Sequence, residues 1–144
     1  MTLTRPEAET WCRSRGVRLD DRGFPAVSRE SYEFAIPVDA GQRVHLVASD
    51  LSAHLGAPET LVWYTEWGVW PSSERPHIFE RFRASYGETR HVSQAPAHTF
   101  GSAEGEDLLS FVTLGVLFLW DVHVVIPGKM SLFYSHDERG LRYA

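Results

Sequence analysis

Apolar and polar positions recur with two different periods along this 144-residue chain, and the switches between them outline its elements. Side chains alternate across a strand and recur every three to four residues on a helix, so the period identifies the element. Thr4 with Glu7 forms a capping box, Pro6 suits a first turn and Gly16 an end, which predicts a helix from Pro6 to Arg15. Val17 to Arg29 reads as extended chain with turns. From Ser31 to Val38, the residues Tyr32, Phe34, Ile36 and Val38 fall on one side of a strand. Asp39-Ala40-Gly41-Gln42 reads as a turn and Arg43 to Ala48 as a second strand, together a hairpin. Asp50 then caps one helical turn carrying Leu51 and Leu55.

Thr60 to Trp67 is a third strand, with Trp63 and Trp67 on one face and Tyr64 and Glu66 on the other. Ser73 and Pro76 open a helix to Tyr86 whose apolar stripe is Ile78, Phe79, Phe82 and Tyr86. His91 to Gly105, punctuated by Pro96, Gly101 and Gly105, reads as a mobile loop. An apolar helix from Glu106 to Phe118 leads into strands Trp120–Ile126 and Met130–Ser135, and a turn at Glu138-Arg139-Gly140 allows a short edge strand, Leu141 to Tyr143. This order predicts a single α+β domain over residues 1–144, a mostly antiparallel sheet with helices packed on one side.

The last hairpin has two competing registers. A two-residue turn at Gly128-Lys129 places Asp121 opposite His136 and His123 opposite Tyr134. A three-residue loop instead aligns Val122 with Tyr134, Val124 with Leu132 and Ile126 with Met130. A one-residue slip sends every side chain to the other face, and burial favours the second register.

That choice matters for chemistry. Asp121 and His123 share a strand face, and in the first register His136 joins them as a zinc or iron site with an open position. In the second, they form a solvated face with a weak Asp–His pair. Ser135-His136-Asp137 has the composition of a catalytic triad, but consecutive strand side chains point to opposite faces. Trp63, Trp67 and Trp70, with Glu66 between them, are either a binding surface for a partner, sugar or nucleobase, or a face packed on the 78–82 helix. Between tryptophans, Glu66 would have a raised pKa suited to a general base.

Composition narrows the function classes. A net charge of −5 argues against nucleic-acid binding, which rests on phosphate neutralisation. Cys12 is the single cysteine, so no internal disulfide and no cysteine-based zinc site forms, and its polar segment offers nothing to activate it. The N-terminus lacks the apolar stretch of a secretory signal, and Leu108 to Trp120 is too short to span a membrane, so a cytoplasmic protein is expected. Thirteen of the fourteen basic residues are arginine, a bias of GC-rich bacterial genomes. No Walker loop, no G-x-G-x-x-G and no G-x-S-x-G is present, and no cofactor is expected.

The ending, an apolar helix followed by Trp120-Asp121, a strand, a turn and Tyr134-Ser135-His136-Asp137-Glu138, resembles that of some small uncharacterised bacterial proteins. Some of these are grouped with immunity proteins of polymorphic toxin systems. The Trp67-Gly68-Val69-Trp70-Pro71-Ser72-Ser73-Glu74 segment is similar in kind. The resemblance covers the second half of the chain and implies a non-catalytic protein that binds a partner, a basic toxin-like protein. The alternative is a metal-dependent or small-ligand-binding enzyme using Asp121, His123 and His136.

Overall fold

Local capping starts the chain as its sequence dictates. Thr4 accepts from the Glu7 amide at 3.4 Å while Glu7 accepts from the Thr4 amide at 2.7 Å, and the helix α1 runs Arg5–Ser14 behind a two-residue strand β1, Thr2–Leu3. The computed structural model describes residues 1–67 and 77–144. Trp70 and the expected helix opening at Ser73 and Pro76 lie outside them. The further elements are β2 (Ser31–Ala35), α2 (Ala40–Leu51), β3 (Glu59–Glu66), α3 (His77–Ser85), β4 (Ala97–Gly101), α4 (Gly105–Leu117), β5 (Asp121–Val125), β6 (Ser131–Tyr134) and β7 (Arg139–Tyr143).

The strands form one antiparallel sheet in the order β1-β4-β3-β5-β6-β7-β2, so the chain folds as an α+β protein. On its first face Val62, Tyr64, Val122, Val124, Leu132 and Tyr134 meet Val47 and Leu51 of α2, Phe79 of α3, and Leu108, Phe111 and Val116 of α4. On the second face Leu61, Trp63, Ala97 and Val125 meet Ala8, Trp11 and Cys12 of α1, so this helix packs opposite the other three. The close approach of α4 to the sheet depends on Gly115, where an added Cβ would lie 2.5 Å from Val122 Cγ2 and 3.0 Å from Tyr64 Cε1. The Tyr64 hydroxyl donates to the Phe111 carbonyl at 2.7 Å and fixes α4 along the strand.

The β5–β6 hairpin takes the register that buries more. Val122 pairs with Tyr134 and Val124 with Leu132, all four fully buried, and Pro127-Gly128-Lys129 is the loop, with Gly128 at φ 71°. Desolvating four large side chains is worth several kcal/mol, more than the preference for one turn type.

Three expectations need correcting. Arg43 to Ala48 is not a strand and forms no hairpin with Ser31–Val38; it lies within α2, which Asp39 caps through the Gln42 amide at 2.9 Å. The buried residues Arg43, Val47 and Leu51 recur every four positions, and that helical stripe outweighs the local alternation. Asp50 is therefore inside the helix, where its carboxylate accepts from Tyr134 and Arg142. A third of the expected 91–105 loop is β4, whose Ala97 and His98 are buried between β1 and β3. The strand at 141–143 is not an edge: β7 lies between β6 and β2, and β2 is the outermost strand on that side. Among the described residues no helix is long and apolar enough to cross a membrane.

Candidate functional site

The second sheet face is covered on one side by α1, and further along by the chain between Asp20 and Val27. That strap is shaped by Asp20, whose Oδ1 accepts the backbone amides of Arg22 at 2.9 Å and Phe24 at 3.0 Å, while Gly23 takes a positive φ of 84°. Phe24 then packs edge-on to Trp63 at 5.5 Å. Between strap and sheet lies a cavity of about 350 Å³ lined by Asp20, Arg22, Phe24, Thr65, Glu66, Asp121, His123 and Phe133, among others.

A β-bulge brings Glu66 there. Tyr64 pairs with Val122 but Glu66 pairs with Asp121, so Thr65 is an extra residue in β3. The bulge reverses the expected alternation at the end of this strand. Glu66 joins Asp121 and His123 on the cavity wall, while Trp67 packs against the core on the helix face. Glu66 therefore does not sit on the Tyr64 face. Trp63 and Trp67 do not share a face and do not enclose Glu66. Trp63 is fully buried and offers no stacking surface to solvent.

His123 forms the floor. Its ring stacks on Phe133 with centroids 4.5 Å apart, it is only 4% exposed, and its Nδ1 has no hydrogen-bond partner. Burial drives its pKa down to about 3; the Asp20 charge opposes this and the Arg22 charge adds to it. The imidazole is therefore neutral near pH 7 and offers one donor and one acceptor nitrogen.

Asp121 stands beside it on the same strand face, and its Oδ1 accepts from both the His136 backbone amide and His136 Nδ1, each at 2.7 Å. Burial lowers the His136 pKa, but the Asp121 hydrogen bond and the charges of Asp121, Asp137 and Glu66 outweigh it, and the net shift is upward. At Asp20 burial likewise raises the pKa, and the amides of Phe24 and Arg22 with the Arg22 guanidinium outweigh it, holding the carboxylate below its usual value.

Glu66, Asp121 and His123 are thus brought to one cavity. His136 meets Asp121 from outside that wall, and Trp70 lies outside the described residues. Among the described residues no group of three or more His, Cys, Asp or Glu is placed to hold a metal ion. Among themselves Ser135, His136 and Asp137 place the Asp137 amide on Ser135 Oγ at 3.2 Å and His136 Nε2 at 3.4 Å from Asp137. In that arrangement His136 is turned to carboxylates and does not receive a proton from Ser135.

The sequence reading passed over Asp20, Arg22, Phe24 and Phe133. Turns within Val17 to Arg29 are expected from the sequence, but nothing local shows that this stretch folds back over β5. No protein-family model, no curated protein and no solved structure matches this chain.

Proposed function

We propose that this chain works by binding a protein partner without catalysis, and that the cavity beneath the 20–27 strap receives a basic side chain of that partner. One observation carries the reading: three carboxylates, Asp20, Glu66 and Asp121, and a neutral imidazole line a cavity that holds a single guanidinium, Arg22, already paired with Asp20 at 3.3 Å. The His123–Phe133 stack and Phe24 supply flat walls that suit a guanidinium or the stem of a lysine. The buried imidazole supports this in a second way, because an uncharged His123 accepts a hydrogen bond from a cation and does not repel it.

A basic partner fits the net charge of −5, since complementary charge speeds association. Neutralising a basic toxin is the role that the resemblance of the C-terminal half suggests for such a protein. The metal-dependent alternative draws less support, because His136 bonds Asp121 from outside the wall that His123 lines.

Titration of the protein with acetyl-arginine amide, followed by NMR, tests the reading against acetyl-citrulline amide, which has the same shape without the charge. Saturable shifts at Glu66, Asp121 and His123 for the arginine compound alone are expected, weakened about tenfold by Glu66→Gln with Asp20→Asn. Equal response to both compounds, or no response at these residues, would refute it.

A further inference from the structure

We propose that a second cavity, of about 480 Å³, binds a small organic anion: a phosphate ester or carboxylate that carries an apolar group. The cavity lies where the end of α1 meets the β5–β6 loop and the last residues of β7. It is separate from the acidic cavity, and the strap runs between them, with Ala26 touching both. Its volume falls within the roughly 300–1,000 Å³ of small-ligand sites.

The charge on its walls is opposite to that of the chain. The sequence has 19 acidic and 14 basic side chains, yet these walls carry Arg15, Arg18 and Lys129, the chain's single lysine, and neither Asp nor Glu. Arg15 is already engaged, since its guanidinium pairs with Glu59 and stacks over Trp11 at 4.4 Å. Arg18 and Lys129 have no ion-pair partner among the described residues. Two exposed cations thus face the concavity without a carboxylate side chain on its described walls.

The second observation lies deeper. Tyr143 lines the cavity and is 7% exposed, and its hydroxyl is buried with no hydrogen-bond partner. Ser131, also on the wall, is its polar neighbour there. Buried hydroxyls are ordinarily paired, and a bound oxyanion completes this one as an acceptor. Burial pushes the Tyr143 pKa up to about 12, which keeps the hydroxyl a donor over the whole neutral range. Val17 and Ile126 give the same cavity an apolar wall, which is why the anion carries an apolar group.

The experiment is an NMR titration of the full chain with phenyl phosphate and with benzoate, and with inorganic phosphate as the probe of charge alone. Saturable shifts at Arg18, Lys129 and Tyr143 are expected, with phenyl phosphate or benzoate at least about tenfold tighter than inorganic phosphate. The tighter of the two identifies the oxyanion. Arg18→Ser with Lys129→Ser should weaken binding by about tenfold or more. Tyr143→Phe removes a single hydroxyl from the wall and should weaken binding severalfold, with urea unfolding as the check that it still folds. Glu66→Gln, in the other cavity, should leave it unchanged. Absence of saturation at about 10 mM of both aromatic probes, or an affinity indifferent to the Arg18/Lys129 and Tyr143 changes, would overturn the proposal.

Discussion

Replacing His123 by phenylalanine should stabilise the protein, and stabilise it more as the solution becomes acidic. The folded imidazole is held down to about 3 by burial, whereas in the unfolded chain it ionises near its ordinary 6.5. A group whose folded pKa is depressed leaves stability intact above the unfolded value and removes it as pH falls, because the unfolded state takes up the proton first. At pH 5 the unfolded imidazole is about 1.5 units below its midpoint while the folded one is still neutral, which costs the fold about 2 kcal/mol; at pH 7 the cost is only a few tenths. The result hardly depends on whether the folded value is 3 or 4, since both lie below pH 5.

Phenylalanine also removes the unpartnered Nδ1 and keeps a flat ring on Phe133, a gain of about 1 kcal/mol that does not vary with pH. Urea unfolding followed by tryptophan fluorescence at pH 7 and pH 5 measures both terms. The variant's advantage should grow by about 2 kcal/mol between the two, with other titrating groups cancelling in the comparison. An advantage that is the same at both pH values would show that His123 takes up a proton in the folded state, and the neutral cavity floor would be wrong.

Three further outcomes are expected. Gly115→Ala gains about 1 kcal/mol of helix propensity but forces a Cβ to 2.5 Å from Val122, so urea unfolding should show a net loss of about 1–2 kcal/mol, partly restored when Val122→Ala is added. Cys12 is fully buried and burial raises its thiol to about 11, so a thiol reagent at pH 8 should modify it about 100-fold more slowly in the folded protein than in urea. Asp121→Asn should lower the His136 pKa in an NMR titration. Since the folded value is raised, its contribution is full below 6.5 and lost as pH rises through that folded value, so the stability gap between wild type and variant should narrow with rising pH.

Much of the fold was legible because it rests on local signals. Thr4, Glu7 and Pro6 announce α1, and the apolar run from Leu108 to Val125 announces α4 and β5, whose register followed from matching buried residues. Arg43 misled because a buried arginine reads as polar; its guanidinium donates to the Leu117 carbonyl at 3.1 Å, a contact that exists only after folding. β4 was hidden because its partners, β1 and β3, flank it at long range and its turn-rich surroundings read as loop. For the site, Asp121 and His123 were correctly placed together by strand period alone. Glu66 reached them through a bulge, and a bulge has no sequence signature here. The strap's contribution depends on a tertiary fold-back that no local pattern encodes.

The two outer strands also set an order of events. β1 and β2 are both drawn from the first 35 residues, yet they occupy opposite edges of the sheet, and β2 pairs only with β7, Ser31 against Tyr143. Neither can dock until strands encoded much later have been made. A chain emerging from the ribosome therefore holds β1 unpaired until β4 has been made and β2 unpaired until β7 has been made, and the sheet closes from the centre outward. Such pairings across the full length of the chain bring a large loop-closure entropy before any contact rewards it. Folding is accordingly expected to be a slow, late event, with truncation at β7 exposing β2 even though α1 would still be intact.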